Sequence, residues 1–174
     1  FTWANVLERV RALALGLESK GLKAGDSVMM IGENEPEHFW AEYAVQSLGG
    51  KVLSVYPDQT AEEILYLAQD SQTRVFLAQD QEQVDKVLEI QQKTKDVAHI
   101  IYLDPRGLRK YDTARLHSLH DVQAAGRAAH TALDAELDKR QADIGYDDTC
   151  VMLYTSGTTG RPKGVVLSNR NIIE

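Results

Sequence analysis

"KVLSVYPDQTAEEILYLAQDSQTRVFLA", residues 51–78, reads as a strand, a helix and a second strand in one short run. Its first segment, "KVLSVY" (51–56), is apolar and valine-rich, which predicts a strand. Thr60 stands three residues before Glu63, the spacing of a capping box. There a hydroxyl and a carboxylate each satisfy an unpaired backbone N–H at a helix start. "AEEILYLAQD" then predicts the helix, and "TRVFLA" (73–78) the second strand. Strands joined through one helix run parallel, because the helix returns the chain to the edge it started from. "SVYPDQT" (54–60) is an ordinary strand-to-helix turn, at the end of the sheet where α/β proteins form ligand crevices.

The same rhythm extends in both directions. Trp3, Val6, Leu7, Val10, Leu13, Ala14 and Leu17 recur at helical spacing and predict one apolar stripe on a helix over 3–20. Thr2 is its expected N-cap and Gly21 its left-handed stop. "DSVMMIG" (26–32) predicts a strand, and 35–50 a helix with Pro36 in its first turn and Gly49–Gly50 after its end. Residues 80–94 predict a helix and "VAHIIYL" (97–103) a strand. The polar stretch 104–118 is expected to be a surface loop, and the alanine-rich 119–140 a helix. "DDTCVMLYT" (147–155) and "GVVLS" (164–168) predict two more strands, with Ser168 or Asn169 capping a last helix. Alternating strands and helices of these lengths predict an α/β fold: a doubly wound, mostly parallel sheet with flanking helices. The strands are continuous apolar runs, as strands covered on both faces are. Neither linkers nor repeats divide residues 1–174, which read as a single, incomplete domain.

The net charge of −7 is interspersed along the chain, which argues against a nucleic-acid or anionic-membrane surface, since those need clustered Lys and Arg. No apolar run reaches the ~20 residues of a membrane helix. Cys150 is the only cysteine, so no internal disulfide can form, and its apolar neighbours predict a packed, inert thiol in a reducing compartment. His38, Trp40 and Tyr43 share one helix and are expected to pack, with His38 at the edge of the core. His117 and His120 are expected on the surface and His130 on a helix, too irregularly spaced for a ligand set. Asp147–Asp148 predict a turn.

The chemistry is concentrated in "YTSGTTGRPKG" (154–164). A helix-backed P-loop reads G-x-x-x-x-G-K-[ST]. Here Pro162 occupies the place of the second glycine, Gly164 that of the metal-binding hydroxyl, and the β-branched "GVVLS" follows. The loop is therefore expected to run from strand to strand, with no helix behind it. It can still hold phosphate. Gly157 and Gly160 let backbone N–H groups form an anion-binding concavity. Thr155, Ser156, Thr158 and Thr159 add hydroxyls, and Arg161 and Lys163 add positive charge.

"YTSGTTGRPKGVVLSNRNI" resembles the signature loop of the AMP-forming adenylating enzymes, which include acyl-CoA synthetases, luciferases and peptide-synthetase adenylation domains. Within that superfamily the chain is similar to the long-chain acyl-CoA synthetase branch. "TWANVLERVRALALGLESKGLKAGDSVMMIGENEPEHFWAEYAVQSLGGKVLSVYP" and "TAEEILYLAQDSQTRVFLAQDQEQVDKV" carry that further similarity. The resemblance implies a long-chain fatty acid–CoA ligase that uses ATP, Mg²⁺ and coenzyme A. A carboxylate would attack the α-phosphate, pyrophosphate would leave, and CoA would displace AMP from the acyl-adenylate. By position, Ser156, Gly157, Thr158, Thr159, Gly160 and Lys163 would contact phosphate, Lys163 as the catalytic cation, and Thr155 would lie near the metal. Asn169 stands where many relatives carry histidine.

The family's adenine, ribose and C-terminal lysine motifs are not in these 174 residues, so the chain reads as part of a large N-terminal AMP-binding domain, inactive alone. The expected partners are fatty acid, ATP and CoA, in the cytoplasm, with peripheral attachment at the inner membrane and self-association of the fragment. Two alternatives stay open: an adenylating enzyme for an aryl, amino or short acyl acid, and a non-catalytic nucleotide-binding module.

Overall fold

The computed structural model describes the chain except residues 95–96, 113 and 156–159 and the side chains of 130–134. Helix α1 (Trp3–Ser19) leads to strand β1 (Ser27–Ile31), then α2 (Pro36–Ser47), β2 (Lys51–Val55), α3 (Ala61–Asp70) and β3 (Thr73–Ala78). They are followed by α4 (Gln81–Ile90), β4 (His99–Tyr102), β5 (Leu116–Ser118), α5 (Leu119–Asp143), β6 (Thr149–Thr155), β7 (Lys163–Ser168) and α6 (Asn169–Ile173). Local chemistry starts the helices as expected. Thr2 and Thr60 form capping boxes with Asn5 and Glu63, Pro36 begins α2, and Ser168 caps α6 with Asn171.

The strands form one sheet in the order β5-β4-β3-β1-β2-β6-β7. Pairing is parallel throughout except between β6 and β7, which are antiparallel. From β1 the chain steps to β2 on one side, crosses back to β3, and continues outward to β5. Helix α5 then returns it to β6, beside β2. Right-handed crossovers in opposite directions place helices on opposite faces. The core follows that rule in two layers. Val28 and Met30 of β1 pack with Leu13, Leu17, Trp40, Val45 and Val122 from α1, α2 and α5. Their neighbours Met29 and Ile31 pack with Ile64, Leu67, Val84 and Val87 from α3 and α4. The alternation of one strand's side chains thus feeds both layers.

Two expectations need correction. The stretch 104–118 is not loop to its end: Leu116–Ser118 add a parallel edge strand beside β4. Only Leu116 among these residues carries a clear apolar signal, so the pattern was too short to read. The apolar stripe of α1 is also interrupted. Val10, Leu13, Ala14 and Leu17 are buried, whereas Trp3 and Leu7 are exposed, because the first turns of α1 extend beyond the packed layer. No helix among the described residues is long and apolar enough to cross a membrane.

Candidate functional site

The glycine-rich loop leaves the sheet at the carboxyl edge of the parallel strands. Strand β6 ends at Thr155, and the chain returns as β7 from Lys163. Thr155 and Lys163 are direct cross-strand partners, and Tyr154 faces Gly164 one step inward. Opposed residues of a ladder project to the same side, so Thr155 and Lys163 share one face of the hairpin and Tyr154 takes the other. Both Thr155 and Lys163 are exposed, and Lys163 makes no ion pair among the described residues. Gly160, on the returning limb, has φ +151° with open space where a Cβ would stand, so its need for glycine is conformational. Ser156, Gly157, Thr158 and Thr159, the other expected phosphate contacts, lie outside the described residues. The strand-to-strand path expected from Pro162 and "GVVLS" is what the antiparallel β6–β7 pair provides.

The opposite side of the hairpin rests on α3. The Tyr66 hydroxyl donates to the Pro162 carbonyl at 2.8 Å, and the Arg161 guanidinium lies over the Tyr66 ring, 5.2 Å from its centroid. One turn along the helix, Asp70 accepts a 2.5 Å hydrogen bond from the Tyr154 hydroxyl. Burial, then the Asp70 carboxylate, raises the Tyr154 phenol well above its ordinary value, so it stays a neutral donor. Tyr66, Tyr154, Arg161 and Pro162, with Gln59, Glu62, Glu63 and Leu65, line a cavity of about 500 Å³. Its two glutamates make this a poor seat for phosphate. Lys163 projects from the other face of the hairpin.

Sequence reading took Tyr66, Asp70 and Tyr154 only as parts of their elements. The available signal was the i, i+4 spacing of Tyr66 and Asp70, which places both on one face of α3. Gln59 puts the end of the "SVYPDQT" turn at the cavity wall.

The remaining candidates resolve individually. His38 is not at the edge but buried: it shares a 3.1 Å hydrogen bond with Ser54, and burial lowers its basicity. His117 is not a free surface residue. From β5 it meets His99 of β4 at 3.1 Å, and the second nitrogen of His99 donates to the Lys20 carbonyl at 3.1 Å. His120 is exposed, and the side chain of His130 lies outside the described residues. Asp148 closes the 145–148 turn through the Gly145 N–H, and Asp147 pairs with Arg170 at 3.0 Å. The Asn169 side chain donates to the Gly145 carbonyl at 2.9 Å, tying the start of α6 to that turn. Cys150 is a buried free thiol, its pKa raised by that burial. Among the described residues no group of three His, Cys, Asp or Glu could hold a metal ion.

The model of the AMP-binding enzyme family matches residues 1–174. The chain is 34% identical over 166 residues to the long-chain-fatty-acid–CoA ligase ACSBG1 of Rattus norvegicus, covering 93% of this chain and 22% of that protein. It is 31% identical over 175 residues to the long-chain-fatty-acid–CoA ligase of Thermus thermophilus, covering 99% of this chain and 28% of that protein. The chain therefore spans roughly a quarter of such relatives. Among solved structures, the anthranilate CoA ligase AuaEII in complex with anthranoyl-AMP superposes with TM-score 0.82 at 22% identity, covering 98% of this chain and 30% of that one. The A domain of the carboxylic acid reductase of Segniliparus rugosus, in complex with AMP, superposes with TM-score 0.79 at 24% identity, covering 99% and 29%. At that identity the superpositions speak for the fold. The loop between β6 and β7, the sheet that carries it and the family match over all 174 residues agree: the chain belongs to the AMP-binding enzyme family.

Proposed function

We propose that the protein carrying this chain is an AMP-forming long-chain fatty acid–CoA ligase, and that residues 155–163 hold the β- and γ-phosphates of ATP. One observation carries the reading. Thr155 and Lys163 stand side by side on the exposed face of an antiparallel hairpin, at the two ends of a loop built of glycine and hydroxyl residues. Such a loop, with no helix behind it, suits a pyrophosphate that must first be gripped and then released.

In the first half-reaction a carboxylate oxygen of the acid bonds to the α-phosphorus. The bond from that phosphorus to the bridging oxygen breaks, and pyrophosphate leaves with the electron pair. Lys163 meets the charge that grows on the leaving group, which is electrostatic stabilisation by a pre-placed cation. In the second half-reaction the thiol of coenzyme A attacks the acyl carbonyl and AMP leaves. Mg²⁺ supplies charge neutralisation on the phosphates. The chain's donor set fits a metal carried mainly by nucleotide oxygens and water, as Mg²⁺ often is, with the Thr155 hydroxyl at hand.

Fatty acid is the acid favoured by the relatives at 34% and 31% identity. A long acyl chain partitions into bilayers, which goes with a cytoplasmic enzyme attached peripherally at the inner membrane. An aryl acid is the second reading, because AuaEII, whose fold is close to this one, holds anthranoyl-AMP. ATP–pyrophosphate exchange by the full-length protein, with palmitate and with anthranilate in turn, separates the two. In the same assay Lys163→Ala should lower exchange about 10²-fold, the scale of losing one charge-stabilising group. Exchange equal to wild type would remove Lys163 from the phosphate site.

A further inference from the structure

The hairpin that carries the loop joins the sheet through β6, beside β2. Strand β6 is registered with β2 at the single pair Val52–Val151, and β7 is an edge strand with Val165 and Val166 exposed. Its second attachment is to α3, at two points. Asp70 holds Tyr154, on the strand that enters the loop, and Tyr66 holds the Pro162 carbonyl, on the limb that leaves it. Gly164 leaves room for this arrangement, since a Cβ there would lie 3.1 Å from the Tyr154 ring. Tyr66 thus acts on the residue next to Lys163. The Pro162 carbonyl belongs to the same rigid peptide plane as the Lys163 N–H, so fixing that oxygen fixes the backbone from which Lys163 projects. The Tyr66 ring also engages Arg161, drawing that cation to the α3 side while Lys163 faces the other way.

We infer that Tyr66 is a positioning residue for the phosphate loop: its hydroxyl and ring hold the 161–163 backbone so that Lys163 is in place before ATP arrives. The inference rests on the phosphate reading above and names a residue which that reading does not require. Its physical content is pre-organisation. A limb that is already held loses less freedom on binding, so the gain appears in affinity for the nucleotide.

The test uses the full-length protein in ATP–pyrophosphate exchange, with Lys163→Ala as reference. Tyr66→Phe removes only the hydroxyl, keeps the ring under Arg161, and should raise the KM for ATP about two- to tenfold, the range of one net hydrogen bond. Tyr66→Leu also removes the ring and should raise it further. The KM for the acid and the urea midpoint should stay at wild-type values. Tryptic cleavage after Lys163 should be faster in Tyr66→Leu, a readout independent of catalysis. An unchanged KM for ATP in Tyr66→Leu, with Lys163→Ala impaired, would overturn the positioning role and leave the phosphate reading standing. Equal rises in both KM values together with a lower urea midpoint would make Tyr66 merely structural, and overturn it too. Normal exchange by Lys163→Ala would sink the phosphate reading and this inference with it.

Discussion

Gly126→Ala should destabilise the fold, although alanine is the better helix former. Helices α1 and α5 cross at Gly16 and Gly126 with their backbones in contact. A Cβ on Gly126 would lie 1.8 Å from the Ala12 carbonyl oxygen and 2.7 Å from the Gly16 nitrogen. A Cβ on Gly16 would lie 2.1 Å from the Val122 carbonyl oxygen. These are mainly backbone atoms, so no rotamer change relieves the clash. Ordinary contact begins near 3.4 Å, so the helices must part by about 1.6 Å at this point. Parting opens the seam where Leu13, Leu17 and Val122 are buried. A radial gap of 0.5–1 Å already forfeits roughly a quarter to a half of a dispersion contact.

Overpacking of this kind costs about 1–3 kcal/mol, occasionally more, and the helix-propensity gain returns about 1 kcal/mol. We expect a net loss of about 2 kcal/mol, since a displacement this large lies at the upper end of that range. Urea unfolding followed by circular dichroism should show a lower midpoint at unchanged slope. Amide exchange should accelerate in residues 10–17 and 119–127. Gly145→Ala is the control, because its Cβ would make only ordinary contacts from 3.6 Å and its effect should stay within ~0.5 kcal/mol. A Gly126→Ala midpoint equal to or above wild type would refute the close-approach argument.

Stability should also fall as pH drops below about 6.5, the ordinary histidine value. Burial lowers the basicity of His38, of His99 against the opposing hydrogen bond to the Lys20 carbonyl, and of His117 with help from the Lys20 charge, so the unfolded chain binds protons that the folded chain refuses. The stability these groups contribute is complete above that value and is lost on further acidification. Glu8, Glu63 and Asp104, with lowered pKa values, act only below about 4.5, while Glu42, raised by burial, works in the opposite direction. Urea midpoints at pH 7.5 and 5.5 should differ in wild type and differ less in a His99→Asn, His117→Asn variant; equal differences would exclude the pair. The exposed Leu153, Val165 and Val166 on β6 and β7 should make the isolated 174-residue chain self-associate. Light scattering should show mass rising with concentration and Val165→Lys, Val166→Lys reducing it, whereas a monomer at every concentration would count against this surface.

The sequence by itself determined the elements and their class. Capping pairs such as Thr60–Glu63, apolar runs such as "TRVFLA" and the strand–helix–strand rhythm are local signals, since each depends on neighbours a few residues apart. The nature of the loop was legible for the same reason: Pro162 and the β-branched residues after Gly164 exclude a following helix within one short stretch. The tertiary structure decided what depends on residues far apart in the chain. Leu116–Ser118 become a strand only because β4 offers an open edge, and His117, registered with Ile101, meets His99 only because the parallel pairing puts both on one face of the sheet. The sheet order that places β6 beside β2 brings Tyr154 against Asp70 and Pro162 against Tyr66, 84 and 96 residues apart. No periodicity or motif encodes such pairs, because they exist only once two crossovers have returned the chain to the same edge of the sheet. The residues proposed to hold phosphate were therefore readable from one stretch of the chain, and Tyr66, whose hydroxyl bonds the Pro162 carbonyl beside them, was not.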